Sequence, residues 1–322
     1  MRVIDDLDSL RMEGVVLTIG NFDGFHRGHQ AILAAARSRA RELGAETVAM
    51  TFNPHPATVL SPDRVPPTLT PHAEKLRLIA RAGADAVVVV PARREFFDIP
   101  AETFIQEILV ARFRPAAVVE GASFRYGAHR GGTTDSLRQA GEQWGFEVRI
   151  VEPVRVALGG HPDAVISSSL VRHLLASGTV DQAAGCLGRP YTLIGRVARG
   201  VGRGGRLGFP TLNVGDCVQL IPAAGVYAGQ AEIPAGTFTA AISVGVNPTF
   251  AGERAGDERI SGERVSVEAH LPDFSGDAYG QPVRLAFMNW LRPQIRFESA
   301  EALKRQIAQD IAATRLATQT YS

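Results

Sequence analysis

A doubly wound parallel α/β domain followed by a small antiparallel β domain is the architecture that this 322-residue chain predicts. Two observations carry the expectation. From residue 15 to about 150, short apolar strands alternate with amphipathic helices, the pattern of a parallel sheet covered on both faces. Beyond Gly188 helical periodicity largely disappears until residue 299, and short strands separated by Gly and Pro replace it.

The elements follow in order. VVLTI (15–19) is an apolar, β-branched run closed by Gly20 and reads as a buried strand. From Gly28, Ile32, Leu33, Ala36, Ala40 and Leu43 fall at helical steps until Gly44 ends the helix. TVAMTF (47–52) is a strand, and the NPHP that follows forces a turn. AEKLRLIARAG (73–83) is helical and DAVVVV (85–90) is a strand. AETFIQEILVARF (101–113) is an amphipathic helix, AAVVE (116–120) a strand, and FEVRIV (146–151) another strand after a helix near Asp135–Trp144. ISSSLVRHLLASG (166–178) is a serine-capped helix closed by glycine. YTLIGRVAR, GVYAGQAEI, FTAAISVGV, RVSVEAHL and VRLAFMNWL then read as the strands of a small barrel or sandwich, and a helix capped by Ser299 packs across one face. The boundary falls near Gly188, giving domains 1–187 and 188–322. The polar stretch 251–264 reads as a mobile hairpin loop.

Composition narrows the function. Hydrophobic content of 45% and charged content of 21% are those of a soluble globular protein. A net charge of +1 gives no electrostatic case for nucleic acid or a membrane surface as the partner. Cys186 and Cys217 are the only cysteines, which argues against a disulfide framework and for a reducing compartment. The acidic N-terminus lacks a signal core, and no apolar run approaches the ~20 residues of a membrane span. The expectation is a cytoplasmic protein whose partners are small molecules; a weak homo-oligomer is compatible with the sequence, which does not fix the oligomeric state.

The turn GNFDGFHRGH (20–29) is the most informative stretch. A glycine-bearing turn from strand to helix aims unpaired N–H groups and the helix dipole at one spot, which attracts phosphate. His26 and His29, three residues apart at the helix entrance, can face the same anion. Surface capping, or half of a zinc site, is the plainer alternative, but no Cys or His pair at metal spacing completes a zinc site. The motif resembles the HxGH signature of the nucleotidylyltransferases, and as GNFDGxHxGHQ it is similar to that of the bifunctional bacterial riboflavin kinase/FMN adenylyltransferase (FAD synthetase) family.

That resemblance implies a Rossmann-like adenylyltransferase domain, with His26 and His29 catalytic and Gly20, Asn21, Phe22, Asp23 and Gly28 binding nucleotide. ISSSxxR is similar to the superfamily's second nucleotide motif, which adds Ser167, Ser168, Ser169 and Arg172; by pattern alone an ordinary capped helix is the simpler reading. Asn53, Pro54, His55 and Pro56 resemble the segment lining the flavin. In the second half, GRxLGFPTxN resembles the flavokinase signature of a riboflavin kinase-like barrel. It implies a nucleotide loop at Gly202, Gly204, Arg206, Gly208, Pro210 and Thr211, with Mg²⁺ on Thr211 and Asn213. GVYAG, GVNPTF and VSVEAHLPDF match in order, and Glu268 is implied as the base for the ribityl hydroxyl. As a bare pattern, Glu268 is a polar residue on an alternating strand.

Two positions depart from the family pattern. Ser123 stands where Asp or Asn is usual, and keeps hydrogen-bonding capacity. Arg292-Pro293-Gln294 replaces Arg-x-Glu, with Arg292 implied on the flavin side. The implied reactions are phosphorylation of riboflavin and adenylylation of FMN, each consuming ATP. The rival readings are one active half, or a flavin-binding regulator without turnover.

Overall fold

The computed structural model describes residues 1–199, 211–247 and 264–319. They form two compact units, Met1–Ser168 and Ser169–Ser322.

In the first unit the strands are β1 (Arg2–Ile4), β2 (Val16–Ile19), β3 (Thr47–Asn53), β4 (Ala86–Pro91), β5 (Ala117–Gly121) and β6 (Glu147–Val151). They make one parallel sheet in the order β1-β4-β3-β2-β5-β6. The main helices are α1 (Arg27–Leu43), α2 (Ala57–Leu60), α3 (His72–Arg81), α4 (Arg94–Phe97), α5 (Ala101–Thr103) and α6 (Thr134–Trp144). A hairpin, β7 (Arg155–Leu158) with β8 (His161–Val165), stands apart from the sheet. Alternate strand residues feed opposite faces. Leu17, Met50, Val88 and Val118 join a core with Phe104, Leu109 and Leu137, while Val16, Ala117 and Val119 pack with Ala36 and Ala40. Both faces are therefore covered, which is why the strands read as continuous apolar runs.

The chain winds from β2 outward through β3 and β4, then resumes on the opposite side with β5 and β6. The strands β2 and β5 flank this reversal, and their ladder ends at Leu17 with Val118. A crevice opens beyond their carboxyl ends, the ligand position of this architecture.

Three features escaped the sequence pattern. β1 is a three-residue edge strand, too short to show alternation. Residues Phe104–Phe113 continue α5 with π-type hydrogen bonding. Their buried set, Phe104, Ile105, Ile108, Leu109 and Phe113, shows a helix without revealing its pitch. The β7–β8 hairpin is largely exposed, and its alternation is limited to Val156 and Leu158, both half-buried.

The second unit begins with α7 (Ser168–Ala176, its first residue in the first unit) and α8 (Val180–Leu187). Six strands follow: β9 (Tyr191–Ala198), β10 (Thr211–Gly215), β11 (Gly225–Ile233), β12 (Gly236–Asn247), β13 (Arg264–His270) and β14 (Pro282–Arg292). They close an antiparallel barrel in the order β10-β13-β12-β11-β14-β9. Its closure removes the exposed edges that a sandwich would leave. Tyr227, Phe287, Leu285, Ile242, Val244 and Ala269 are buried. Gly229 lies at a register shift between β11 and β14, where an added Cβ would sit 2.1 Å from the Ala286 carbonyl oxygen. The final helix α9 (Ala300–Gln319) packs on β11, β12 and β14. Its cap is the expected one: the Ser299 hydroxyl accepts the Ala302 N–H. The loop 251–263 lies outside the described residues.

Candidate functional site

The first unit places its chemistry at the crevice. Strand β2 is fully buried and ends at Ile19, and the chain then turns through Gly20–Phe25 into α1. Phe22 and Phe25 both adopt positive φ, 51° and 40°, while burying their rings. Such backbone costs on the order of 1–3 kcal/mol per residue and persists only where packing enforces it. His26 caps α1, its Nδ1 accepting the His29 N–H at 3.4 Å. The two imidazoles stack, centroids 3.7 Å apart and planes 17° apart. Gly28 leaves room for the His26 ring, from which an added Cβ would lie 3.0 Å.

Burial, then the neighbouring His26 and Lys75, hold His29 well below the usual imidazole range. His29 is therefore neutral near pH 7 and offers a ring N–H rather than a cation. Its Nδ1 is buried without a partner among the described residues, a polar atom awaiting a ligand. Lys75 is itself buried and donates to the Phe52 carbonyl at 2.8 Å; desolvation brings its ammonium down to about 8.

Two adjoining clefts open here. One, about 270 Å³, is lined by His26, Gly28, His29, Gly20, Phe22, Ser123 and Ser167, together with Glu120 and Glu152. The other, about 490 Å³, is aromatic: Phe52, Phe96, Phe97, Phe104, Phe124 and Tyr126, with Asn21, Pro56, Arg125, His129 and Arg130. They share Ile19, Gly20, Ser123 and Phe124.

Most of the expected adenylyl-transfer residues thus converge. Asp23 instead turns its carboxylate to the backbone, accepting the Leu69 and Thr70 amides at 3.0–3.2 Å, and so anchors the turn. Ser168 donates to the Asp23 carbonyl at 2.8 Å, while Ser169 and Arg172 follow on α7 in the second unit. Of Asn53–Pro56, Pro56 lines the aromatic cleft and His55 lies 3.2 Å from the Asn21 amide; Asn53 and Pro54 are exposed. Glu120, Lys75 and most of the aromatic wall were missed, since their sequence context is that of ordinary strand, helix and core residues.

In the second unit, Asn213, Glu268 and Ser243 stand side by side on β10, β13 and β12. Residues directly opposite in antiparallel pairs share a face. The Thr211 hydroxyl donates to Glu268 Oε2 at 3.4 Å. Gln294 Nε2 donates to Ser243 Oγ at 2.8 Å and to the Val244 carbonyl at 3.1 Å, which ties the departing residue to the same row. A cleft of about 270 Å³ lies beside Thr211 and Leu212, walled by Phe274 and Tyr279. Arg292 is held by Asp310 of α9 in a two-point ion pair, at 2.9 and 2.7 Å, rather than left open. Gly202, Gly204, Arg206, Gly208 and Pro210 lie outside the described residues.

Thr211 and Asn213 supply hard oxygen donors that fit Mg²⁺, which takes few protein ligands when phosphates complete its shell. No cluster of three or more His, Cys, Asp or Glu suited to a metal occurs among the described residues. Among them, too, no helix is long and apolar enough to cross a membrane.

Residues 9–169 match the family model for FAD synthetase, and residues 187–318 that for riboflavin kinase. The bifunctional riboflavin kinase/FMN adenylyltransferase of Escherichia coli (strain K12) is 36% identical over 96% of this chain and 95% of its own. Those of Pseudomonas fluorescens and Bacillus subtilis (strain 168) are 36% and 32% identical, covering 98% and 92% of this chain and 97% and 90% of theirs. A crystal structure described as a macrolide-efflux protein from Streptococcus pneumoniae has the same fold, with a TM-score of 0.84 at 28% identity, covering 97% of this chain and 98% of that one.

Proposed function

The chain belongs to the bifunctional riboflavin kinase/FMN adenylyltransferase family, and from that membership we infer a division of labour between its two halves. It phosphorylates riboflavin to FMN and adenylylates FMN to FAD, with ATP as the donor in both reactions. The adenylylation motifs fall within 1–187 and the kinase motifs within 188–322.

The observation that carries the adenylylation site is the pair of clefts sharing Gly20 and Ser123. The aromatic cleft suits an isoalloxazine ring, and the histidine cleft suits the nucleotide. An FMN phosphate oxygen then attacks the α-phosphorus of ATP at the shared edge, the α–β bridge breaks, and pyrophosphate leaves. The attacking phosphate is already ionised, so alignment and charge stabilisation suffice. The amides opening α1 and the neutral His29 face the developing charge as hydrogen-bond donors, without adding a cation that would hold the product.

In the barrel, Glu268 accepts the proton of the ribityl hydroxyl as its oxygen attacks the γ-phosphorus of ATP. Thr211 and Asn213, adjoining Glu268 on β10, would hold Mg²⁺ there. When bound, that ion neutralises phosphate charge. The cleft beside Phe274 and Tyr279 accommodates the nucleotide base, and Gln294 orders the strand row behind Glu268. A sequence with only two cysteines, Cys186 and Cys217, fits a reducing compartment, the cytoplasm.

A chromatographic time course with riboflavin, ATP and Mg²⁺ tests the reading. FMN should appear first and FAD after it; one product without the other would mean a single active half, and neither would mean a flavin binder.

A further inference from the structure

Glu120 is a carboxyl group that neither proposed reaction employs. It is the penultimate residue of β5, where β2 and β5 part: their ladder stops at Leu17 and Val118, so the Ile19 N–H lacks a strand partner on that side. Glu120 Oε1 takes that N–H at 2.6 Å. The side chain is 2% exposed and lines the same cleft as His26 and His29. Among the described residues no cation pairs with it and Oε2 has no protein partner.

Two facts bear on its form. A buried carboxylate without a cation is costly, and burial pushes this carboxyl well above the usual range. The cleft is also proposed for a triphosphate, which an ionised Glu120 would repel and a protonated one would not. The other titratable groups lining the cleft are His26, His29 and Glu152, the last of them exposed.

We propose that Glu120 is a further nucleotide-binding residue of the adenylyl-transfer cleft: Oε1 fixes the turn that carries the histidines, and Oε2 presents a hydrogen-bond donor to an oxygen of the bound nucleotide. The inference rests on the nucleotide occupying the histidine cleft. A backbone peg alone would need only Oε1 and would be indifferent to ATP.

Difference infrared spectroscopy of the full chain, with ATP added in the absence of flavin, separates the two roles. The expected spectrum contains a protonated-carboxyl C=O band that moves to lower frequency with ATP and is missing from Glu120→Gln. That variant keeps one acceptor and one donor, so its FAD formation should stay within a few-fold of the native rate. Glu120→Ala loses both, and its KM for ATP in FAD formation should rise roughly tenfold with FMN formation unchanged. A C=O band that is absent, or that ATP leaves in place, overturns the proposal, as does Glu120→Gln impaired as severely as Glu120→Ala. Native FAD formation by His29→Ala would overturn the cleft assignment itself.

Discussion

Two buried nitrogens define the chemistry at the residue scale. His29 is neutral because burial and two neighbouring bases oppose its protonation. Its folded pKa is depressed, so the stability it contributes is fully present above about pH 6.5 and declines as pH falls, because the unfolded chain takes up the proton first. Removing the imidazole removes one donor to the transition state. His29→Ala should cut FAD formation by roughly 10²- to 10³-fold while FMN formation continues, as separate assays on FMN and on riboflavin would report. Lys75 gives a stability test. Its cation is penalised in the fold, fully below about pH 8 and fading toward 10.5. Lys75→Met abolishes that titration, so its stability relative to the native chain should fall by up to about 3 kcal/mol as pH rises from 8 to 10.5. Denaturant unfolding of both proteins across that range checks the slope, and parallel curves would place the ammonium in water. At this scale the sequence exposed the histidines, because glycine spacing and a strand-to-helix change are local signals. It hid Glu120 and Lys75, whose importance comes from partners distant in the chain, Ile19 and Phe52.

At the scale of elements, local chemistry was legible wherever a cap or a period recorded it. Gly44 ends α1 in the left-handed conformation, and Thr133 with Ser136 forms a capping box that starts α6. Pairing that depends on tertiary context was not legible. β10 follows a glycine- and arginine-rich run that reads as loop, yet it lies between β13 and β9 and completes the barrel. The role implied for Arg292 also meets a competing partner, since Asp310 binds its guanidinium at two points. This pair joins β14 to α9 with both side chains largely buried. Asp310→Ala would leave the guanidinium buried and unpaired, a loss of about 3–5 kcal/mol. Thermal unfolding should show it, and Tm unchanged within error would mean that Arg292 finds water or another acceptor.

For the molecule as a whole, composition and periodicity revealed two halves, while packing decides where a folding unit begins. α8 buries Cys186 and Leu187 and packs on β14 and β9, so it belongs to the barrel's core although its pattern is simply that of one more helix. A fragment beginning at residue 169 should therefore fold and unfold cooperatively, whereas one beginning at 188 should be markedly less stable; equal unfolding midpoints would make α8 dispensable. The central claim is that one chain carries two chemistries at separate sites, and crossed single variants test it most directly. Glu268→Gln keeps the size of the side chain and removes its basic lone pair, so FMN formation from riboflavin should fall by about 10²- to 10⁴-fold. The same protein should convert added FMN to FAD at the native rate, while His29→Ala should accumulate FMN from riboflavin and stop there. The measurement is a chromatographic time course of both variants with riboflavin or FMN as the starting flavin, at saturating ATP and Mg²⁺. Reciprocal loss is the predicted result; a folded variant losing both activities, or Glu268→Gln phosphorylating riboflavin at the native rate, would contradict the account.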